Sequence, residues 1–92
     1  MCIRDRAYGA LGAAAAEGNV LDAKTRELIA LAVAVTTRCE SCIGVHADEA
    51  VKAGATEEEV AAALAMSIAL NAGAAYTYSL RALEAYNAQK GE

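Results

Sequence analysis

The chain has 92 residues, 57% hydrophobic and 22% charged, with no Pro, Phe or Trp. Its net charge of −4 offers no electrostatic footprint for nucleic acid or an anionic membrane surface. This length makes one domain, and no stretch joins a charged start, an apolar core and a cleavage site as a secretory leader does.

The first six residues, Met1 to Arg6, sit badly with the Ala-rich stretch after them and are set aside as non-native or disordered, so the domain is taken as residues 7–92. A first helix is expected over about residues 7–16, ending at the turn signal Gly18-Asn19. Asp22 can N-cap a second helix reaching Val35. Leu28, Ile29, Leu31, Ala32 and Val35 make that helix apolar nearly all round, as a central buried helix should be. Its apolar run from Leu28 to Val35 is too short to span a bilayer. Thr36-Thr37-Arg38, where β-branched residues interrupt the periodicity, reads as a reversal. A third helix is expected from Cys39 to Ala53, stopped by Gly54. Thr56-x-x-Glu59 is a capping box for a fourth helix carrying Val60, Leu64 and Ile68 inward. Gly73 is expected to break or kink the chain before a fifth helix with Tyr76, Leu80 and Leu83 at helical spacing. The fold class is therefore all-α, a compact multi-helix bundle of about five helices.

Chemistry concentrates in Cys39, Cys42 and His46, a C-x-x-C-x-x-x-H cluster, with Glu27 upstream on the preceding helix. On a helix opened by Cys39, Cys42 and His46 stack four apart on one face, and Cys39 lies within roughly 60° of both. If the two helices fold back antiparallel about residue 37, Glu27 comes level with His46 or Ala47. A thiol pair, a base and a carboxylate that orients the base follow the logic of an activated nucleophile. Two other readings stay open at this point. The cysteines can be small buried hydrophobes, or Cys39, Cys42 and His46 can ligate zinc with Glu27 or water as fourth ligand. Glu57-Glu58-Glu59 reads as a solvated first turn, Arg26 as a surface charge able to help hold Glu27, and Tyr76, Tyr78 and Tyr86 as packing or subunit contacts.

The run Asp22-Ala23-Lys24-Thr25-Arg26-Glu27-Leu28-Ile29-Ala30-Leu31-Ala32-Val33-Ala34, followed by Cys39-x-x-Cys42-x-x-x-His46, resembles the carboxymuconolactone decarboxylase superfamily, and within it the AhpD-like alkylhydroperoxidase branch. The likeness continues through Gly54-Ala55-Thr56-Glu57-Glu58-Glu59 and from Asn71-Ala72-Gly73 to Tyr86. It implies an all-α bundle whose cysteine pair is a peroxidase or disulfide reductase centre. By that resemblance Cys42 is the attacking thiolate, Cys39 the resolving thiol, and Glu27 with His46 a proton relay. Familiar members carry a further histidine between the cysteines, where this chain has Glu40-Ser41. True decarboxylases of the superfamily lack the cysteine pair, so a cofactorless decarboxylase-like enzyme is the lesser alternative, alongside a zinc-binding or interaction module.

The expected protein is thus a cytoplasmic thiol oxidoreductase without a cofactor, acting on a peroxide or disulfide and reduced by an external dithiol. In the cytoplasm a C-x-x-C serves catalysis or metal binding more often than structure. Surplus small apolar surface points to a homo-oligomer, with trimers and hexamers both familiar in the family.

Overall fold

Asp22 opens the central helix as expected: its carboxylate accepts the Thr25 backbone N–H at 2.8 Å. The computed structural model describes residues 2–91. Its elements are α1 (Cys2–Ala15), a 3-10 turn (Glu17–Asn19), α2 (Ala23–Thr37), α3 (Glu40–Lys52) and α4 (Glu57–Lys90). No strand occurs among the described residues, so the chain is all-α. Residues 2–6, set aside from the sequence, continue α1 as helix.

Four α-helices replace the expected five, because Gly73 lies inside α4 and does not interrupt it. A Cβ at Gly73 would meet nothing within 4 Å, and its Ala-rich neighbours are strong helix formers. Glycine weakens a helix by about 1 kcal/mol, too little to break one that is well started. That start is the capping box: the Glu59 N–H donates to Thr56 Oγ1 at 3.1 Å, and the Thr56 N–H to Glu59 Oε1 at 2.9 Å.

The reversal is also shorter than expected. Thr36 and Thr37 stay helical, their hydroxyls donating back to the Ala32 and Val33 carbonyls at 3.0 Å each. The turn is made at Arg38, in the left-handed region with φ 57°, and its N–H bonds the Ala34 and Val35 carbonyls. Cys39 follows at once as the N-cap of α3. At the other end of α3, Gly54 (φ 84°) supplies a second left-handed turn that needs no Cβ.

α2 lies between α3 and the first half of α4, and these three form the compact part. Its buried residues are Leu31 and the small Ala34, Ala50 and Ser67. Ser67 Oγ donates to the Ala32 carbonyl at 2.9 Å, and Asn71 Nδ2 donates to Thr36 Oγ1 at 3.1 Å, so polar groups register α4 against α2. The inward stripe of α4 therefore includes Ser67, while Ile68, expected to face inward, is 70% exposed. Ile68 sits one residue, about 100°, round the helix from Ser67. Lys24 adds an ion pair to Glu59 at 2.8 Å across the same junction.

α1 and the rest of α4 project from that compact part. The radius of gyration is 18.1 Å, against about 12 Å for a compact chain of this length. α2 is thus covered on two sides only, leaving Ile29 and Val33 half exposed instead of the all-round burial expected. By length and composition alone α4 is apolar enough to cross a membrane. Its N-terminal half is nevertheless engaged with α2 through Ser67 and Asn71.

Candidate functional site

The joint between α2 and α3 sets the site. Arg38 ends one helix and Cys39 begins the next, with the Cys39 N–H bonded to the Ala34 carbonyl at 3.0 Å. α3 packs back along α2, which carries His46 to the level of Glu27. The expected pairing is realised: His46 Nδ1 lies 2.6 Å from Glu27 Oε1, across 19 residues of sequence. An ionised carboxylate only accepts, so the neutral imidazole carries its proton on Nδ1 and keeps Nε2 as the free basic nitrogen. The Glu27 and His46 side chains are 19% and 35% exposed, so the pair is partly shielded from water yet reachable.

Cys39 and Cys42 are joined as a disulfide with their Cα atoms 5.2 Å apart, inside the ordinary range for such bridges. The two sulfurs occupy different surroundings. Cys42 lines an open cavity of about 460 Å3 together with His46 and Glu27, and Cys39 is not among its lining residues. The Cys39 sulfur instead caps α3, accepting the Cys42 backbone N–H at 3.3 Å. The Ser41 hydroxyl is 3.6 Å from that same sulfur, and a disulfide sulfur has no proton to give, so Ser41 is the donor.

The cavity is mostly apolar. α2 supplies Ile29, Ala30, Val33 and Ala34, and Gly12 and Ala15 at the end of α1, with Ala16 just after it, add to the lining. That contribution from α1 is not legible in the sequence, because an alanine run signals helix and nothing about what the helix covers. Arg26 also lines the cavity, but it does not hold Glu27. Its Nη1 donates to the Leu21 carbonyl and, at 2.8 Å, to Asn19 Oδ1, tying the 3-10 turn to α2. Along α3, Ala50 is buried and Ile43 is 37% exposed. On the opposite side Lys52 pairs with Asp48 at 3.0 Å, and that carboxylate raises the lysine's pKa.

A cysteine pair with one member sharing an apolar cavity with an oriented base can do nucleophilic sulfur chemistry. No group of three or more His, Cys, Asp or Glu side chains among the described residues gathers to hold a metal ion.

Comparison with known proteins fits this arrangement. A family model for the carboxymuconolactone decarboxylase family matches residues 5–85. An uncharacterized protein of Haemophilus influenzae is 87% identical over 85 residues, covering 92% of this chain and 75% of that protein. Uncharacterized protein 4 in the cox locus of Paracoccus denitrificans is 39% identical over 79 residues, covering 86% of this chain and 71% of that one. A crystal structure of a protein from Methanobacterium thermoautotrophicum superposes with a TM-score of 0.75 at 32% identity, over 83% of this chain and 85% of that one. With most of its length matched in sequence and its helices matched in space, the chain belongs to the carboxymuconolactone decarboxylase family.

Proposed function

We propose that this protein is a thiol-dependent peroxidase or disulfide oxidoreductase of the AhpD-like kind, acting in the cytoplasm as a homo-oligomer. The observation that carries this reading is the sharing of one cavity by Cys42, His46 and Glu27, with Glu27 Oε1 bonded to Nδ1 of the imidazole. In the reduced protein His46 Nε2 takes the Cys42 thiol proton, and Glu27 steadies the imidazolium so formed. The thiolate attacks the terminal oxygen of a hydroperoxide and breaks the O–O bond. Cys42 becomes a sulfenic acid, and the departing alkoxide takes the proton from His46 and leaves as alcohol, or as water from hydrogen peroxide. The Cys39 thiol condenses with the sulfenic acid, forming the disulfide and releasing water. An external dithiol then reduces the disulfide, becoming oxidised itself. Where the oxidant is another protein's disulfide, the same cysteines act as an electron relay.

Assembly is part of the proposal. Ile29 and Val33 form an exposed ridge between the thiol cavity and a second apolar groove, of about 390 Å3, bounded by Met66 and Leu70 of α4. A second copy seated on that ridge removes its apolar surface from water at about 25 cal/mol per Å2 and walls the thiol cavity. The Ala-rich α4, already engaged with α2 through Ser67 and Asn71, suits such close packing against another helix.

Mass spectrometry of the reduced protein after one equivalent of an organic hydroperoxide, with and without a dithiol, tests the activity. The Cys39–Cys42 disulfide should form and then be reversed by the dithiol. Thiols left free by the peroxide would reject the peroxidase reading.

A further inference from the structure

The unequal surroundings of the two sulfurs bear on how the disulfide is reduced. Cys42 lines the cavity together with His46, whereas Cys39, the N-cap of α3, does not line it. Two hydrogen-bond donors already address the Cys39 sulfur: the Cys42 N–H at 3.3 Å and the Ser41 hydroxyl at 3.6 Å. We infer that the two halves of the cycle use different sulfurs, the oxidant meeting Cys42 within the cavity and the reducing dithiol bonding to Cys39 outside it, with Ser41 as a positioning residue that eases release of Cys39. This deepens the thiol-oxidoreductase reading and rests on it for the biological direction of electron flow.

The steps balance. One thiolate of the dithiol attacks the Cys39 sulfur, making a mixed disulfide and expelling Cys42 as a thiolate beside the His46–Glu27 pair, where it is protonated. The second thiolate of the reductant attacks its own first sulfur, closes to a cyclic disulfide and expels Cys39. The Cys39 thiolate carries its charge on the sulfur that the Ser41 hydroxyl and the Cys42 N–H address, and takes its proton from solvent. Two electrons and two protons pass from the dithiol to the protein. A leaving thiolate stabilised by hydrogen bonds departs faster, because exchange rates rise as the leaving group becomes less basic.

Attack at Cys39 also removes any need for the reductant to enter the cavity.

The test uses protein oxidised by diamide, so that the answer does not depend on any reaction with peroxide. Excess glutathione is added, exchange is stopped within seconds by acid, free thiols are alkylated, and fragmentation spectra place the glutathione. Glutathione on Cys39, with Cys42 alkylated, is the expected result. Glutathione on Cys42 overturns the inference even if the protein proves an active peroxidase. Peroxide inertness with glutathione on Cys39 rejects the peroxidase reading and leaves the inference standing. For Ser41, Cys42→Ser protein is loaded with glutathione on Cys39, and its release by dithiothreitol is timed with and without a Ser41 substitution. Loss of one hydrogen bond to a developing thiolate should slow release about three- to tenfold in Ser41→Ala, and Ser41→Thr should restore it. Release as fast from Ser41→Ala as from the parent, or no recovery in Ser41→Thr, overturns the role given to Ser41.

Discussion

Replacing Glu27 by Gln isolates the part its charge plays at the thiol. Glutamine keeps the size of the side chain and an oxygen that can accept the His46 Nδ1 proton, so the change removes the charge and little else. Two unit charges about 4 Å apart interact by about 4 kcal/mol at an effective dielectric of about 20. Water screens part of this, because Glu27 and His46 are 19% and 35% exposed. The remaining stabilisation of an imidazolium is then about 1–2 kcal/mol, in the range for charge-assisted hydrogen bonds. If the imidazolium forms as Cys42 attacks, Glu27→Gln should slow disulfide formation by about tenfold near neutral pH. Rapid mixing of reduced protein with an organic hydroperoxide, followed by timed alkylation and mass measurement, gives that rate directly. His46→Ala should be slower at least to the same degree. In the double variant the Glu27 change should add nothing further, since its effect passes through His46. A wild-type rate in Glu27→Gln, or an equal effect of Glu27→Gln with His46 absent, would refute the relay.

Three further outcomes are expected from the fold. Gly73→Ala should raise the melting temperature by several degrees, because about 1 kcal/mol of helix propensity is gained where a Cβ meets nothing within 4 Å; a lower melting temperature at unchanged assembly state would mean α4 is not a plain helix there. Thermal stability should also fall as the pH drops from about 5 to about 3. The Asp22 carboxyl is held below its ordinary pKa chiefly by the Thr25 N–H, and that of Glu59 chiefly by Lys24. A depressed folded-state pKa stabilises the fold fully above the unfolded value and loses that contribution as the pH falls through the folded one. Lys24 is shifted upward by Glu59, so its share is present below its unfolded pKa and is lost only in strongly alkaline solution. An Asp22→Asn, Glu59→Gln double variant with an unchanged acid profile would contradict that assignment. Finally, sedimentation at micromolar concentration should show a trimer or hexamer that Val33→Glu disperses; a monomer with full thiol activity would remove the role given to the Ile29–Val33 ridge.

Local signals with one clear physical meaning were legible in the sequence. Asp22 and the Thr56–Glu59 box cap helices wherever the chain around them is helical, and both do so here. That Glu27 lies level with His46 or Ala47 followed from counting residues on each side of a reversal, whereas the facing of the two side chains needed the structure. Features that depend on a competing partner were not legible. Thr36 and Thr37 were expected to break the helix, but their hydroxyls found carbonyls one turn back and the helix kept them. Ile68 was expected inward on hydropathy, yet a position facing the Ala32 carbonyl suits a small hydroxyl better, and Ser67 occupies it. The unlike surroundings of Cys39 and Cys42 needed the structure too, since both lie on one stripe when only spacing is considered.

The joint at Arg38 turns the spacing of the reactive residues into a count of helical turns. Glu27 precedes Arg38 by eleven residues and His46 follows Cys39 by seven, which are close to three turns and two turns. Each side chain therefore emerges on nearly the same azimuth as the joint itself, and that shared azimuth brings the acid against the imidazole. Adding one residue to either arm would swing its functional group by about 100° and shift it by about 1.5 Å, far beyond what a hydrogen bond tolerates. Only a change of about a whole turn, made in both arms together, keeps the contact. Length variation in this protein can accumulate in α1, in the projecting end of α4 and around Gly54, while the twenty residues from Glu27 to His46 behave as a fixed-length gauge.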